Sequence, residues 1–238
     1  ARSITNRTWA RLLGRGIVDP LDQMHSGNPA SHPELLDWLT RDLVEHQYAL
    51  RRLIRGIVLS RTYARSSRWE QSRGEPPSAD YFAVAAVRAL TPRQYALSLL
   101  VATAAPGSLP GPDKPDDWGG RREQLEKASQ KLVGEIELPG DNFQVSVDEA
   151  LLFSNGQRVQ DEYLGDGKDR LVGVLKEQAD AGRLVDTAFR VVLSRPAADD
   201  ERRAFEEYLS SRAEKDRLGA IRQIVWALIT SSELRFNH

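Results

Sequence analysis

Apolar residues recur along most of this chain at helical rather than strand spacing. Ile4, Thr8, Ala10 and Leu12-Leu13 trace a first helical face, which Gly14-Arg15-Gly16 stops because glycine can take positive φ. Residues 17–27 read as an irregular connector. Ser31 followed by Glu34 is the pattern of a capping box, and Pro33 falls in a first turn where its missing N–H is not needed. Leu35, Leu36, Leu39, Leu43 and Val44 then mark a helix over residues 32–46, with Trp38 assigned to the core stripe. Leu50, Leu53, Ile54, Ile57 and Val58 repeat the pattern, and the short link at Gln47-Tyr48 predicts that the two helices pack as a pair.

Beyond an exposed loop over residues 65–79, Thr91-Pro92-Arg93-Gln94 is a second capping signal, opening a helix through Leu97, Leu100 and Val101. Residues 105–120 hold Pro106, Gly107, Pro110, Gly111, Pro112 and Pro115, too many breakers for regular structure. A charged helix is expected over residues 121–133. Residues 143–147 alternate like a short strand, and Ser146 with Glu149 is a third capping pattern, opening a helix to Phe153. Residues 157–164 and 170–179 continue helically. Leu184, Ala188, Val191 and Val192 form a stripe that Ser194-Arg195-Pro196 stops. Asp199, Asp200 and Glu201 suit the dipole at a helix start, and Ile221, Ile224, Val225, Leu228 and Ile229 mark a buried last helix. The expectation is all-α: a single multi-helix domain over residues 1–238, with long Pro/Gly-rich loops and at most one short strand pair. Residues 105–120 would be an internal loop.

Composition narrows the function classes. The 238 residues are 40% apolar and 28% charged, with a net charge of -1, which gives no general drive toward nucleic acid or anionic membrane. The charge is unevenly spread: the first third is rich in arginine, from Arg2 to Arg68, and lacks lysine. Acids gather at residues 113–117, 148–149 and 199–207. No cysteine is present, which removes disulfides, thiolate metal sites and covalent c-type haem attachment. No apolar run reaches the roughly 18 residues of a membrane-spanning helix. The opening, Ala1-Arg2-Ser3-Ile4, lacks a signal-peptide pattern and reads as the inside of a helix, suggesting a fragment of a longer protein.

Catalytic signatures do not emerge. The four histidines form no H-E-x-x-H, Gly14-x-Gly16 lacks the third glycine of a dinucleotide loop, and Asp113, Asp116 and Asp117 miss the calcium-loop spacing. Glu201 with Glu206-Glu207 is a carboxylate group that an exposed helix explains more simply than glycoside hydrolysis. Trp69 and Trp118, both assigned to loops, are candidates for stacking on a sugar or a partner. The remaining candidates are Arg7, Asp19, Asp22, Asn28, His32, Glu34 and Asp37, which crowd around the connector and the following helix start.

The blocks Asn6-Arg7-Thr8-Trp9, Gly14-Arg15-Gly16-Ile17-Val18 and Asn28-Pro29-Ala30-Ser31-His32-Pro33-Glu34-Leu35-Leu36-Asp37 resemble an uncharacterised family, planctomycete-specific domain one. Leu59-Ser60-Arg61-Thr62-Tyr63, Leu152-Phe153-Ser154-Asn155-Gly156, Leu193-Ser194-Arg195-Pro196 and the ending from Trp226 to His238 fit it as well, so the resemblance spans nearly the whole chain. Asp22-Gln23 departs from the family's two consecutive acids, which weakens a two-carboxylate metal site there. The resemblance implies a C-terminal position in long secreted proteins with cytochrome-c-like domains, some with sugar-binding modules. It therefore implies the periplasm or the cell surface.

The leading expectation is a non-catalytic interaction or scaffold domain, without a cofactor or metal of its own. Its partners would be companion domains of the same polypeptide, met through an apolar or basic patch near the N-terminus. The alternative is a carbohydrate-binding or carbohydrate-active module built on Arg7, Asp19, Asp22, His32 and Glu34, with polysaccharide as ligand. An electron-transfer accessory would need haem carried by another domain. Neither nucleic-acid binding nor membrane insertion is expected.

Overall fold

The computed structural model describes residues 1–238 except residues 71, 73, 112, 115, 137–146, 158, 213–215 and 238, and describes the backbone alone at residues 147–149, 155 and 237. The fold is all-α. Contacts divide it into two compact units, Ala1–Arg88 and Ala89–Asn237.

The first unit starts with α1 (Arg2–Leu13), which ends where expected. Gly14 takes φ 88° and its N–H returns 2.8 Å to the Ala10 carbonyl. A Cβ at Gly14 would also lie 2.9 Å from the Ala86 methyl, so this position needs glycine for space as well as conformation. The connector that follows is irregular but well anchored. Ile17 and Val18 are buried, and the fully buried Asn6 of α1 acts as a backbone surrogate for Val18: its Oδ1 accepts from the Val18 N–H at 2.9 Å and its Nδ2 donates to the Val18 carbonyl at 2.8 Å. The Asp19-Pro20 peptide bond is cis.

The Ser31–Glu34 capping box does not form. The N-cap of α2 (Pro33–Glu45) is His32, without a side-chain cap. The Ser31 hydroxyl instead donates to the Ile17 carbonyl at 3.0 Å, an acceptor that the connector brings within reach and that its own N–H also uses at 2.8 Å. Gln47 and Tyr48, both at positive φ, reverse the chain into α3 (Leu50–Val58), which packs on α1 and α2. Trp9, Ile17, Val18, Leu36, Leu39, Leu43, Leu53, Ile57 and Phe82 form this unit's core, with the Trp9 and Phe82 rings edge to face at 5.3 Å.

Trp38 does not join them. It is 60% exposed, because the buried ridge of α2 runs through Leu36, Leu39 and Leu43 and leaves Trp38 on its flank. Likewise only Leu53 and Ile57 of the α3 stripe are buried; Leu50 and Ile54 face outward.

The second unit comprises α4 (Pro92–Ala102), α5 (Asp117–Val133), α6 (Val147–Asn155), a π-helical turn at Val159–Tyr163, α7 (Leu171–Lys176), α8 (Ala181–Leu193), α9 (Asp199–Ser211), α10 (Arg217–Ile229) and α11 (Ser232–Arg235). The Thr91–Gln94 capping box is present, with Thr91 Oγ1 accepting from the Gln94 N–H. Helix α10 is the centre, touching α7, α8, α9 and α11. Residues 105–120 lie inside this unit, between α4 and α5. The acidic start of α5 at Asp117 lies earlier than the proline count suggests and carries Trp118 into a helix rather than a loop. Residues 143–146 of the expected strand and the Ser146–Glu149 box lie outside the described residues. Extended backbone elsewhere amounts to two-residue strands, near which the Leu90 N–H donates to the Arg235 carbonyl at 2.9 Å.

Candidate functional site

The seven polar residues singled out from the sequence do lie around the connector, but mostly as its fasteners. Asn28 Nδ2 donates to the carbonyls of Asp19 (3.2 Å) and Gln23 (3.0 Å), closing the connector on itself. Arg7 pairs with Asp22 and Arg2 with Asp37, tying α1 to the connector and to α2. Asp19 sits 3.4 Å from Arg15, which also reaches Asp80 at 2.9 Å. His32 Nδ1 lies 3.1 Å from Ser31 Oγ, and its ring leans on Phe82 at 5.8 Å. Glu34 is exposed in the first turn of α2, where its charge suits the helix dipole. Among the described residues no group of three or more His, Asp or Glu is placed to hold a metal ion.

A recess exists elsewhere in the same unit. A cleft of about 400 Å³ opens along α2 and α3, and none of the seven lines it. Trp9, Leu39, Leu53 and Ile57 lend it an apolar floor, while Trp38 and Leu59, 60% and 73% exposed, stand at it as uncovered apolar groups. The Trp9 indole N–H is buried with no hydrogen-bond partner among the described residues. Asp42 of α2 grips Arg52 of α3 with both oxygens: Nη2 donates to Oδ1 at 2.9 Å, and Nε to Oδ2 at 3.1 Å and Oδ1 at 3.3 Å. These bonds hold the Asp42 carboxyl below its usual range and raise Arg52, so this part of the rim is a fixed neutral pair. Arg55, also at the cleft, is exposed and pairs with no carboxylate among the described residues, and neither do Arg51 and Arg61, exposed close by in sequence. Gly56 lines the cleft from within a helix, and a Cβ built there meets nothing within 4 Å. The fold thus does not require glycine at this position.

A family model described as PSD1, protein of unknown function (DUF1553), matches residues 1–133. The chain belongs to the PSD1 family. No curated protein and no solved structure matches it. The PSD1 match takes in the whole first unit together with α4 and α5, and so contains the α2–α3 cleft.

A larger recess of about 690 Å³ lies in the second unit, outside the matched residues, lined by Phe205, Tyr208 and Trp226 among others. Its indole and guanidinium are already engaged. Trp226 Nε1 donates to the Phe153 carbonyl at 2.7 Å, and Arg222 Nε donates to the Leu164 carbonyl at 3.1 Å while its Nη2 lies 3.6 Å from Asp166. The PSD1 cleft is smaller, but it combines exposed apolar groups with uncommitted positive charge. In the sequence, its signal was an apolar pattern in α2 and α3 wider than one buried face requires.

Proposed function

We propose that the first unit of this PSD1 chain is a non-catalytic docking domain that holds a companion domain of the same polypeptide outside the cytoplasm, in the periplasm or at the cell surface. The observation that carries the reading is the α2–α3 cleft, where Trp38 and Leu59 remain exposed beside an apolar floor. Contiguous apolar surface rimmed by charge is what a protein partner covers. The extracytoplasmic placement rests on the family resemblance alone. The carbohydrate reading has weaker support, because the Asn28 side-chain amide donates to two backbone carbonyls, and Arg7, Asp22 and Asp37 are engaged in ion pairs.

A photo-reactive residue replacing Leu59 in the longer polypeptide tests this reading. The expected result is a covalent link to one defined segment of a companion domain, lost when Trp38→Ser is added. In parallel, thermal shift with sugars and divalent metals is expected to give no ligand response in the wild type. A sugar-dependent rise abolished by both Asp22→Ala and His32→Ala, with no cross-link at Leu59, would overturn the docking reading in favour of a carbohydrate site.

A further inference from the structure

The geometry points to an acidic amphipathic helix as the segment that docks in the α2–α3 cleft, crossing α3 closely at Gly56. This deepens the docking reading and rests on it. The first argument is charge. The first 88 residues hold thirteen arginines, no lysine and nine carboxylates. At the cleft itself, Asp42 is consumed by Arg52, whereas Arg55 is exposed and makes no ion pair among the described residues; Arg51 and Arg61, exposed close by in sequence, make none either. A partner presenting glutamates or aspartates beside its apolar face would meet that surplus, and a basic one would be repelled.

The second argument is shape. A glycine inside a helix weakens it, yet the space over Gly56 is open and its conformation is one that alanine adopts. What the missing side chain provides is a notch in the wall of the cleft, where another backbone can come close. The nine residues of α3 rise about 13 Å, which matches two to three turns of a partner helix with apolar anchors at i, i+3/i+4 and i+7. A lipid surface fits this recess poorly, since its apolar floor of Leu39, Leu53 and Ile57 lies below the rim and a flat bilayer would reach only Trp38 and Leu59.

The test titrates this chain with fluorescein-labelled helical peptides of about twelve residues, long enough for three turns. One carries Leu at i, i+3, i+4 and i+7 with Glu on both flanks, a second has Lys in place of every Glu, and a third is the scrambled acidic sequence. Vesicles of phosphatidylglycerol form a separate arm. The acidic peptide is expected to bind about tenfold more tightly than its lysine counterpart, and Arg55→Glu should remove that preference. Gly56→Ala is the decisive variant. It should raise Tm by about 1–3 °C, because alanine is the better helix former, while weakening the acidic peptide about fivefold.

Equal binding of acidic and basic peptides, vesicle binding that competes with the peptide, or a Gly56→Ala protein with unchanged affinity would each overturn the proposal. Dimerisation of the chain abolished by Leu59→Asp would overturn it in favour of a second copy. The Leu59 cross-link separates the two levels of inference. A captured companion segment that is not an acidic helix sinks the helix assignment and leaves the docking domain standing. Absence of any adduct, with no peptide binding, sinks both.

Discussion

Asn6 and Arg7 are neighbours in α1 with opposite weights. Both bond across to the connector, and sequence patterning drew attention to Arg7 because a charged residue near Asp22 and His32 suggests chemistry. Yet Arg7 and Asp22 face water, where an ion pair contributes little, so Asp22→Ala should cost less than about 0.5 kcal/mol in chemical denaturation. Asn6 is fully buried and supplies both hydrogen bonds that the Val18 backbone needs, so Asn6→Ala strands a donor and an acceptor and should cost about 2–4 kcal/mol. An Asn6→Ala protein within 0.5 kcal/mol of wild type would refute that assignment. The sequence could not rank the two, since nothing local says which side of α1 the connector covers. Trp38 departs from its expected place in the core for a related reason. Its helical position fits a wide stripe, but only the narrower ridge of Leu36, Leu39 and Leu43 meets the core. Trp38→Ser should therefore change stability by less than about 0.5 kcal/mol while abolishing docking, whereas truncating buried aromatic residues costs several.

At the scale of elements, helices with strong local signals were legible and those with distant determinants were not. Thr91 and Gln94 form the box that their spacing announces, and Thr91→Ala should cost about 1 kcal/mol. Ser31 and Glu34 have the same spacing and form none, because the Ile17 carbonyl, fourteen residues away, takes the serine hydroxyl. The Ser194-Arg195-Pro196 stop was also legible, but not what Arg195 does. It fastens the start of α9 to α11: its guanidinium donates to both carboxylate oxygens of Glu201 at 2.7 Å and to both of Glu233 at 2.6 Å. Hydrogen bonds from Arg195, then from the Ala198 N–H, pull the Glu201 pKa from 4.5 to about 2. A depressed carboxyl stabilises the fold fully above its unfolded value and loses that contribution as pH falls through the folded one. The lock should therefore weaken between about pH 4.5 and pH 2. Its partial exposure limits the effect to about 1–2 kcal/mol. In Glu201→Gln that part of the acid-induced loss should be absent; identical pH profiles for the two proteins would exclude the lock as its source.

For the whole molecule, the amount of core in each unit is the telling quantity. Among the described residues, nine buried apolar side chains hold the first unit together and twenty-eight the second, so local opening should be easier in the first. Hydrogen exchange should find the slowest amides in α8 and α10 and appreciably faster ones in α2 and α3; the reverse order would count against this picture. Helical class followed directly from periodicity. The division at Arg88 and Ala89 did not, because no proline or glycine run marks it, whereas the conspicuous breakers at residues 105–120 sit inside a unit. Function was the least legible level: the residues with suggestive chemistry serve mostly as fasteners, and the cleft is marked in sequence by nothing more than an apolar pattern wider than one buried face requires.

The unpaired indole of Trp9 gives this chain a built-in reporter. A buried N–H with no acceptor is shielded from exchange but not shifted by a hydrogen bond, so its proton resonance should stand apart from that of Trp226, whose indole is bonded to a carbonyl. Because Trp9 belongs to the cleft lining, any molecule that fills the recess alters the ring currents and packing around that proton. Two-dimensional NMR of indole-labelled protein could thus follow occupancy with no dye or mutation, at a site whose own chemistry is otherwise silent.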